Sequence, residues 1–308
     1  MKKIDIIIDT DPGIDDFFAI LLGISNPKLN VIGITTTFGN RQLDRTNRNA
    51  LLFLELINRQ DIPVAKGSQV PLKKEPHCYM DEGEYLVHGA EGVGNAELFD
   101  FANKNVDLEA VDFIAETILK NDGNITLVPI GPLTNIARFL QKYPELHSRI
   151  DMISLMGGSL NSGNITSDAE FNIYLDPEAA KIVFDSGIKI VMSSLEGTRE
   201  GYINRDEWEP LLLGQNKVKM WLRDTLDCYS KIYEKKNMGI VLHDSLAVSY
   251  LIDNEIGEKV KGSINVITDE KSYGKTVFTP KADGNVEVIT KVNREKFLEL
   301  FIESIKMQ

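Results

Sequence analysis

Cysteine is nearly absent: Cys78 and Cys228 are the only two in 308 residues, and neither has a second Cys or a His nearby at metal-ligand spacing. A fold held by disulfides and a thiolate zinc centre are therefore not expected. The chain also lacks any run approaching the roughly 18 apolar residues of a membrane-spanning helix, and acidic residues follow "MKK" too closely for a signal-peptide core. Positive charge is scarce, with 34 Lys and Arg against 46 Asp and Glu and a formal net charge of −12. That balance argues against the broad basic surface a nucleic-acid partner needs, while leaving clefts open to small molecules. No Ser/Gly-rich or Pro-rich linker, no repeat of fixed period and no low-complexity tract interrupts residues 1–308, which read as one domain. Together these absences describe a soluble protein without membrane or nucleic-acid partners, expected in a reducing, cytoplasmic setting.

What the chain does contain is 43% hydrophobic residues, ample for a packed core. Runs rich in Ile and Val at 4–9, 30–37, 62–67, 124–131, 151–158 and 188–194 are continuously apolar rather than alternating, as in strands covered on both faces. Helix-like segments lie between them at 15–25, 44–59, 108–121, 132–142 and 177–187. The alternation predicts an α/β fold, Rossmann-like, with a mostly parallel sheet and helices on both faces. The stretch 71–100, with Pro71, Pro76, Gly83, Gly89, Gly92 and Gly94, reads as a lid or binding loop. A later helix, 217–237, places Tyr229 and Tyr233 four residues apart on one face.

The sharpest feature is "IDIIIDTDPGIDD", which sets Asp9, Asp11, Asp15 and Asp16 together with no Lys or Arg among them. Asp9 ends the first strand, Pro12 and Gly13 make a turn, and Asp15 and Asp16 open a helix. Ligands of open α/β sheets bind at such strand ends. Helix capping accounts for Asp15 and Asp16 but leaves the other two unexplained. A hard divalent cation accounts for all four, because carboxylate oxygens are its preferred ligands and its charge removes their repulsion. Zinc is disfavoured without Cys or His nearby, and an EF-hand is excluded because Ile14 falls where that loop needs glycine. The Gly-rich "GAEGVGN" at 89–95 has neither the order nor the preceding strand of a dinucleotide site. The Asp-x-Asp strand end also looks like that of haloacid-dehalogenase-like phosphatases, but these do not add the Asp15–Asp16 pair.

"DTDPGIDD" resembles the N-terminal signature of the inosine-uridine-preferring nucleoside hydrolases, and further matches follow in the same order. These are "TTTFGN" (35–40), "VPIGPLTNIA" (128–137), "LMGG" (155–158), "GN" (163–164), "AEFNIYLDPEAA" (169–180) and "HD" (243–244), spanning about residues 4–250. The resemblance implies hydrolysis of a ribonucleoside to ribose and free base around one Ca²⁺. By position, Asp11, Asp16, Asp244 and the main-chain carbonyl of Ile130 would hold the metal, with Asp9 orienting them from behind. Asp15, Asn40, Met156, Asn164, Glu170 and Asn172 match ribose-binding positions. Asp11 would take a proton from a metal-held water, and His243 would protonate the leaving base. Such an oxocarbenium-like reaction suits carboxylates and carbonyls around a sugar.

Each short signal has a plainer reading beside it. Asn172 and Asp176 could simply cap the helix at Pro177, Met156 could be a core residue at a strand end, and Asn40 could be a turn residue after Gly39. A lone histidine is more often structural than catalytic, so His243 rests on its place beside Asp244. His88 on the long loop is a further candidate on the base side, and Phe171 either covers the ribose or fills core. Tyr229 and Tyr233 either close over the base or pack inward. The chain departs from the family at "SSLEGTREGYIN" (193–204), which lacks the usual Asp/Asn-Val-Thr run, and at Ser245, where Pro is usual. Both bear on base preference. The resemblance also implies a homodimer or homotetramer. The competing readings are a phosphatase with Asp9 as nucleophile, and a nucleoside- or sugar-binding protein without turnover.

Overall fold

A computed structural model describes residues 3–73 and 87–308. Cys78, Pro76 and Gly83, within the expected 71–100 loop, lie outside the described residues. The strands are β1 (Ile4–Thr10), β2 (Leu29–Thr36), β3 (Val64–Lys66), β4 (Ile125–Pro129), β5 (Ile150–Met156), β6 (Ile190–Ser193), β7 (Gly257–Val266), β8 (Thr276–Pro280) and β9 (Val286–Val292). The helices before β6 are α1 (Ile14–Ser25), α2 (Leu43–Leu56), α3 (Ala110–Lys120), α4 (Thr134–Lys142), α5 (Phe171–Leu175) and α6 (Pro177–Phe184). Those after it are α7 (Leu195–Glu200), α8 (Arg205–Trp208), α9 (Lys217–Glu234), α10 (Ser245–Ile252) and α11 (Arg294–Lys306).

The nine strands of the described residues join one sheet in the order β3-β2-β1-β4-β5-β6-β9-β7-β8. Pairing is parallel from β3 through β6 to β9, and antiparallel only where β7 meets β9 and β8. The six-strand part has the doubly wound 3-2-1-4-5-6 order, in which the sense of strand addition reverses between β1 and β4 and leaves a crevice beyond their carboxyl ends. Side chains of a strand alternate between faces. Ile6 and Ile8 of β1 accordingly pack with α1, α2 and α9 residues such as Phe17, Phe53 and Leu222, while Ile7 packs with Ile114, Leu127 and Phe139 on the other side. Both faces being covered explains why β1 is an unbroken apolar run.

The expected elements are present with trimmed ends, for local reasons. β3 starts only at Val64 because Pro63 has no N–H to donate. α2 stops at Leu56, just before Asn58 takes a left-handed conformation with φ 55°. α6 ends at Phe184, short of the expected 187, where Gly187 has φ 76°. The 217–237 helix likewise ends at Glu234. Over 257–308 the sequence pattern predicts no element, yet three strands and a helix form there. β7 alternates exposed and buried residues and β8 is largely exposed, so neither carries the continuous apolar signal.

Candidate active site

The acidic cluster sits where β1 ends against β4, in the crevice that the strand order creates. α1 opens at Ile14, with Gly13 as its cap residue, so Asp15 and Asp16 fall in its first turn. Asp16 reaches back to the Gly13 N–H (2.9 Å) and takes hydrogen bonds from Thr10 Oγ1 (2.5 Å) and Asn40 Nδ2 (3.1 Å). Asp244, immediately before α10, comes from the far end of the chain. Asp15, Asp16 and Asp244 each offer an oxygen within 4.8 Å of the others, and all three are buried. Asp11 lies wedged between Gly39 and Gly131, where a Cβ on either residue would collide with its carboxylate. Its Oδ2 accepts the Asn40 N–H at 2.6 Å, while its Oδ1 is buried with no partner among the described residues.

Burial is the main cause that pushes all these carboxyls above their ordinary range, since charge is costly away from water. Asp15 is raised to about 8 and Asp16 to about 6. Asp11 is raised well above the usual value, first by burial and then by the Asp16 charge, and Asp244 likewise by burial and then Asp15. Crowded acids that resist ionisation, with one oxygen unpartnered and no nitrogen or sulfur donor in the set, match a hard divalent cation held by oxygen. The Ile130 carbonyl borders the same crevice but also accepts Asn172 Nδ2 at 3.1 Å. Asp9 hydrogen-bonds to Thr35 Oγ1 (2.6 Å) and Asn135 Nδ2 (2.7 Å), and neither bond reaches an expected metal ligand. Asp9, Asp11 and Asp16 are all fully buried and none of them lines the cavity, whereas Asp15 and Asp244 do.

Above the cluster opens a cavity of about 390 Å³, within the usual range for small-molecule sites. Every residue expected to touch substrate lines it: Asp15, Asn40, His88, Met156, Asn164, Glu170, Phe171, Asn172, Tyr229 and Tyr233. On one wall Glu170 caps α5, accepting the N–H groups of Asn172 (3.0 Å) and Ile173 (3.1 Å), and that of Gly158 (3.0 Å). Asn172 lies inside α5 and does not cap α6; its amide joins the carbonyls of Ile130 and Met156 (3.2 Å), pinning the ends of β4 and β5 together. Asp176 is the residue that caps α6, through the Ala179 N–H. Asn164 Oδ1 accepts the Phe171 N–H at 2.9 Å, and Phe171 packs against Phe38 and Leu175, so it serves core and cavity at once.

The opposite wall carries the histidines and tyrosines. His88 Nδ1 accepts the Ile14 N–H at 2.9 Å and therefore carries no proton, which puts the ring proton on Nε2. Burial drives its pKa down to about 3. Its ring stacks on Tyr229 at 5.7 Å between centroids. Tyr229 donates to the Val241 carbonyl (3.0 Å) and stands 3.2 Å from the Tyr233 hydroxyl. His243 Nδ1 lies 2.7 Å from Thr198 Oγ1, and its Nε2 lies 3.5 Å from the Tyr233 hydroxyl. Burial, then the Arg199 charge, lowers the His243 pKa to about 4.

Three residues here escape a reading of the sequence. Thr198 and Arg199 come from the 193–204 stretch that looks like a departure; the Thr-Arg pair on α7 is their only sequence signal. Arg41, 1% exposed, donates through Nε to the carbonyls of Gly89 (2.9 Å) and Ala90 (3.1 Å) and through Nη1 to that of Asn40 (2.6 Å). It clasps the segment carrying His88 to the corner carrying Asn40. Nothing in its local sequence indicates this. Among the described residues no helix is long and apolar enough to cross a membrane.

Comparison with known proteins gives a consistent match. A family model described as inosine-uridine preferring nucleoside hydrolase matches residues 6–299. The pyrimidine-specific ribonucleoside hydrolase RihA of Salmonella newport (strain SL254) is 37% identical over 309 residues, 98% of each chain. Among solved structures, a purine-preferring ribonucleoside hydrolase from Gardnerella vaginalis is 33% identical with a TM-score of 0.90 over 98% of both chains. A plant nucleoside hydrolase, the PpNRh1 enzyme, is 31% identical with a TM-score of 0.89 over 99% of both.

Proposed function

The chain belongs to the inosine-uridine preferring nucleoside hydrolase family, and from that premise we propose that it is a calcium-dependent ribonucleoside hydrolase, splitting the N-glycosidic bond to give ribose and free base. The observation that carries this reading is the convergence of Asp15, Asp16 and Asp244, with Asp11 tied to Asp16 through Asn40, at a cavity lined by all the expected substrate residues. Asp11, Asp16, Asp244 and the Ile130 carbonyl would hold the cation. When bound, Ca²⁺ neutralises the crowded carboxylates, grips the ribose diol and makes a water easier to deprotonate.

Asp11 takes the proton from the attacking water. Among the described residues its Oδ1 has no partner, and Asn40 holds the other oxygen in place. Asp15 and Asn172 face the ribose hydroxyls, with Asn40, Met156, Asn164 and Glu170 around the ring, so a 2′-deoxy substrate leaves buried polar groups unpaired and reacts poorly. The carboxylates also favour the positive charge that builds on the sugar as the bond breaks. His243 delivers a proton to the leaving base. The Thr198 hydroxyl donates to the Leu195 carbonyl (3.3 Å) and so accepts from His243 Nδ1, and as an imidazolium His243 would hold its second proton on Nε2, beside Tyr233. Tyr229, Tyr233 and His88 flank the base, and the reaction inverts at C1′ because no carboxylate is needed as a covalent nucleophile.

Two kinds of relative pull the base preference in different directions, one named pyrimidine-specific and the other purine-preferring. The deciding experiment is release of free ribose from uridine, cytidine, inosine and adenosine, with calcium and again after chelation. Calcium-dependent release is expected. A protein that binds calcium yet releases ribose from none of the four would overturn the proposal in favour of binding without turnover.

A further inference from the structure

Arg199 is the final-turn cation of α7 and lines the cavity, one residue after the Thr198 that touches His243. A guanidinium is a fixed cation with five N–H donors and no acceptor. Among the described residues its hydrogen bonds are Nη1 to Ser162 Oγ at 3.4 Å and Nη2 to the Gly163 carbonyl at 3.2 Å, long bonds to neutral acceptors rather than to a carboxylate. Those contacts leave further donors for an incoming acceptor. Its charge is felt by both His243 and Tyr233, so it stands on the side of the cavity where those two residues meet. The opposite end of the cavity is acidic, which makes the site a dipole aligned with the reaction: negative at the sugar and positive towards the base.

We propose that Arg199 is a specificity-determining residue for the leaving base, donating to a ring carbonyl oxygen and stabilising the negative charge that gathers there. This rests on the hydrolase reading above. As the C1′–N bond breaks, its electron pair goes to the base nitrogen and spreads onto the ring carbonyls. The proton from His243 then yields the neutral base, while C1′ takes the water oxygen and Asp11 the water's proton. Because a guanidinium only donates, an exocyclic amino group at the same place faces donor with donor. Arg199 therefore favours uridine over cytidine and inosine over adenosine.

The test is kcat and KM for these four nucleosides in the calcium-loaded wild type, Arg199→Lys and Arg199→Gln. Arg199→Gln keeps a donor, gains an acceptor and loses the charge. It is expected to lower the uridine-to-cytidine ratio of kcat/KM by roughly tenfold or more, the size of one charge-assisted hydrogen bond, with part of the loss in kcat. Arg199→Lys, which keeps the charge, should retain an intermediate ratio. If Arg199→Gln lowers all four substrates equally, or leaves the ratio unchanged, Arg199 merely tethers the 162–163 turn and the proposal falls. A wild type inactive on every nucleoside would overturn the hydrolase reading and this inference with it, whereas an active wild type with an unmoved ratio overturns this inference alone.

Discussion

Asn40 meets Asp11 twice: its main-chain N–H donates to Oδ2 at 2.6 Å and its side-chain amide donates to the Asp11 carbonyl at 3.2 Å. The same amide reaches Asp16 Oδ2 at 3.1 Å, so one residue sets the spacing of two carboxylates that repel each other. Asn40 thus acts as the hinge pin of the acidic floor, while Asp11 Oδ1 stays without a partner among the described residues.

Asp11→Ala is expected to abolish detectable turnover, since a positioned base contributes about 10²- to 10⁴-fold and a ligand of the cation is lost as well. Removing one of several crowded acids also relieves repulsion, so the fold should survive. Ribose release and a circular-dichroism melt on the same sample check both halves, and near-normal turnover would sink the mechanism.

Metal removal should act on stability as well as activity, with a definite pH trend. Burial raises Asp9 to about 7, Asp15 to about 8 and Asp16 to about 6 from 3.8 in the unfolded chain. Between those values the metal-free folded state binds more protons than the unfolded one, so its stability falls as pH rises from 3.8 towards 8. Calcium replaces the protons, and binding only the folded state stabilises it by mass action. Thermal melts with chelator should therefore drop between pH 5 and pH 8, because each tenfold difference in proton affinity between the folded and unfolded chain corresponds to about 1.4 kcal/mol. Added calcium should close most of the gap. A flat chelated profile would contradict this account.

His243→Ala is expected to slow natural nucleosides far more than p-nitrophenyl riboside, whose leaving group needs no proton. The loss on inosine or uridine should be about 10²-fold or more. Thr198→Val, which removes the hydroxyl 2.7 Å from Nδ1, should show the same selectivity to a smaller degree. Equal losses on both kinds of substrate would argue against proton donation by this histidine.

Arg41→Met should reduce turnover although Arg41 carries no proton in the reaction. The change removes the guanidinium from three carbonyls, of which Gly89 keeps the Gly92 N–H and Ala90 keeps Arg45, so the cost falls chiefly on the half-buried Asn40 carbonyl, at about 1–3 kcal/mol. His88 and Asn40 should then lose their fixed separation. A melting temperature lowered by several degrees, together with a raised KM, is the expected result. An unchanged KM would show that the clasp does not serve the site.

Much of the site is legible because its chemistry is crowded into short runs. Asp9 to Asp16 cannot be neighbours without a reason, and the ordered matches at Asn40, Met156, Asn164, Glu170 and Asn172 name residues that all reach one cavity. The parallel strands are legible for a related reason: burial on both faces leaves an unbroken apolar run, as in β1. Where that reason fails, at β7 and β8, the signal fails too.

The sequence by itself thus determined the layered α/β plan and the acidic turn after β1, both of which are set by neighbours along the chain. The ordered family matches also brought Asp244 to that turn; only the tertiary structure decided that Arg41 clasps the His88 segment, and that Thr198 and Arg199 flank His243. These are meetings of residues far apart in the chain, brought about by the reversal of strand order between β1 and β4. No local pattern of polarity or propensity can encode them, because they depend on where strands and helices pack rather than on which residues follow one another.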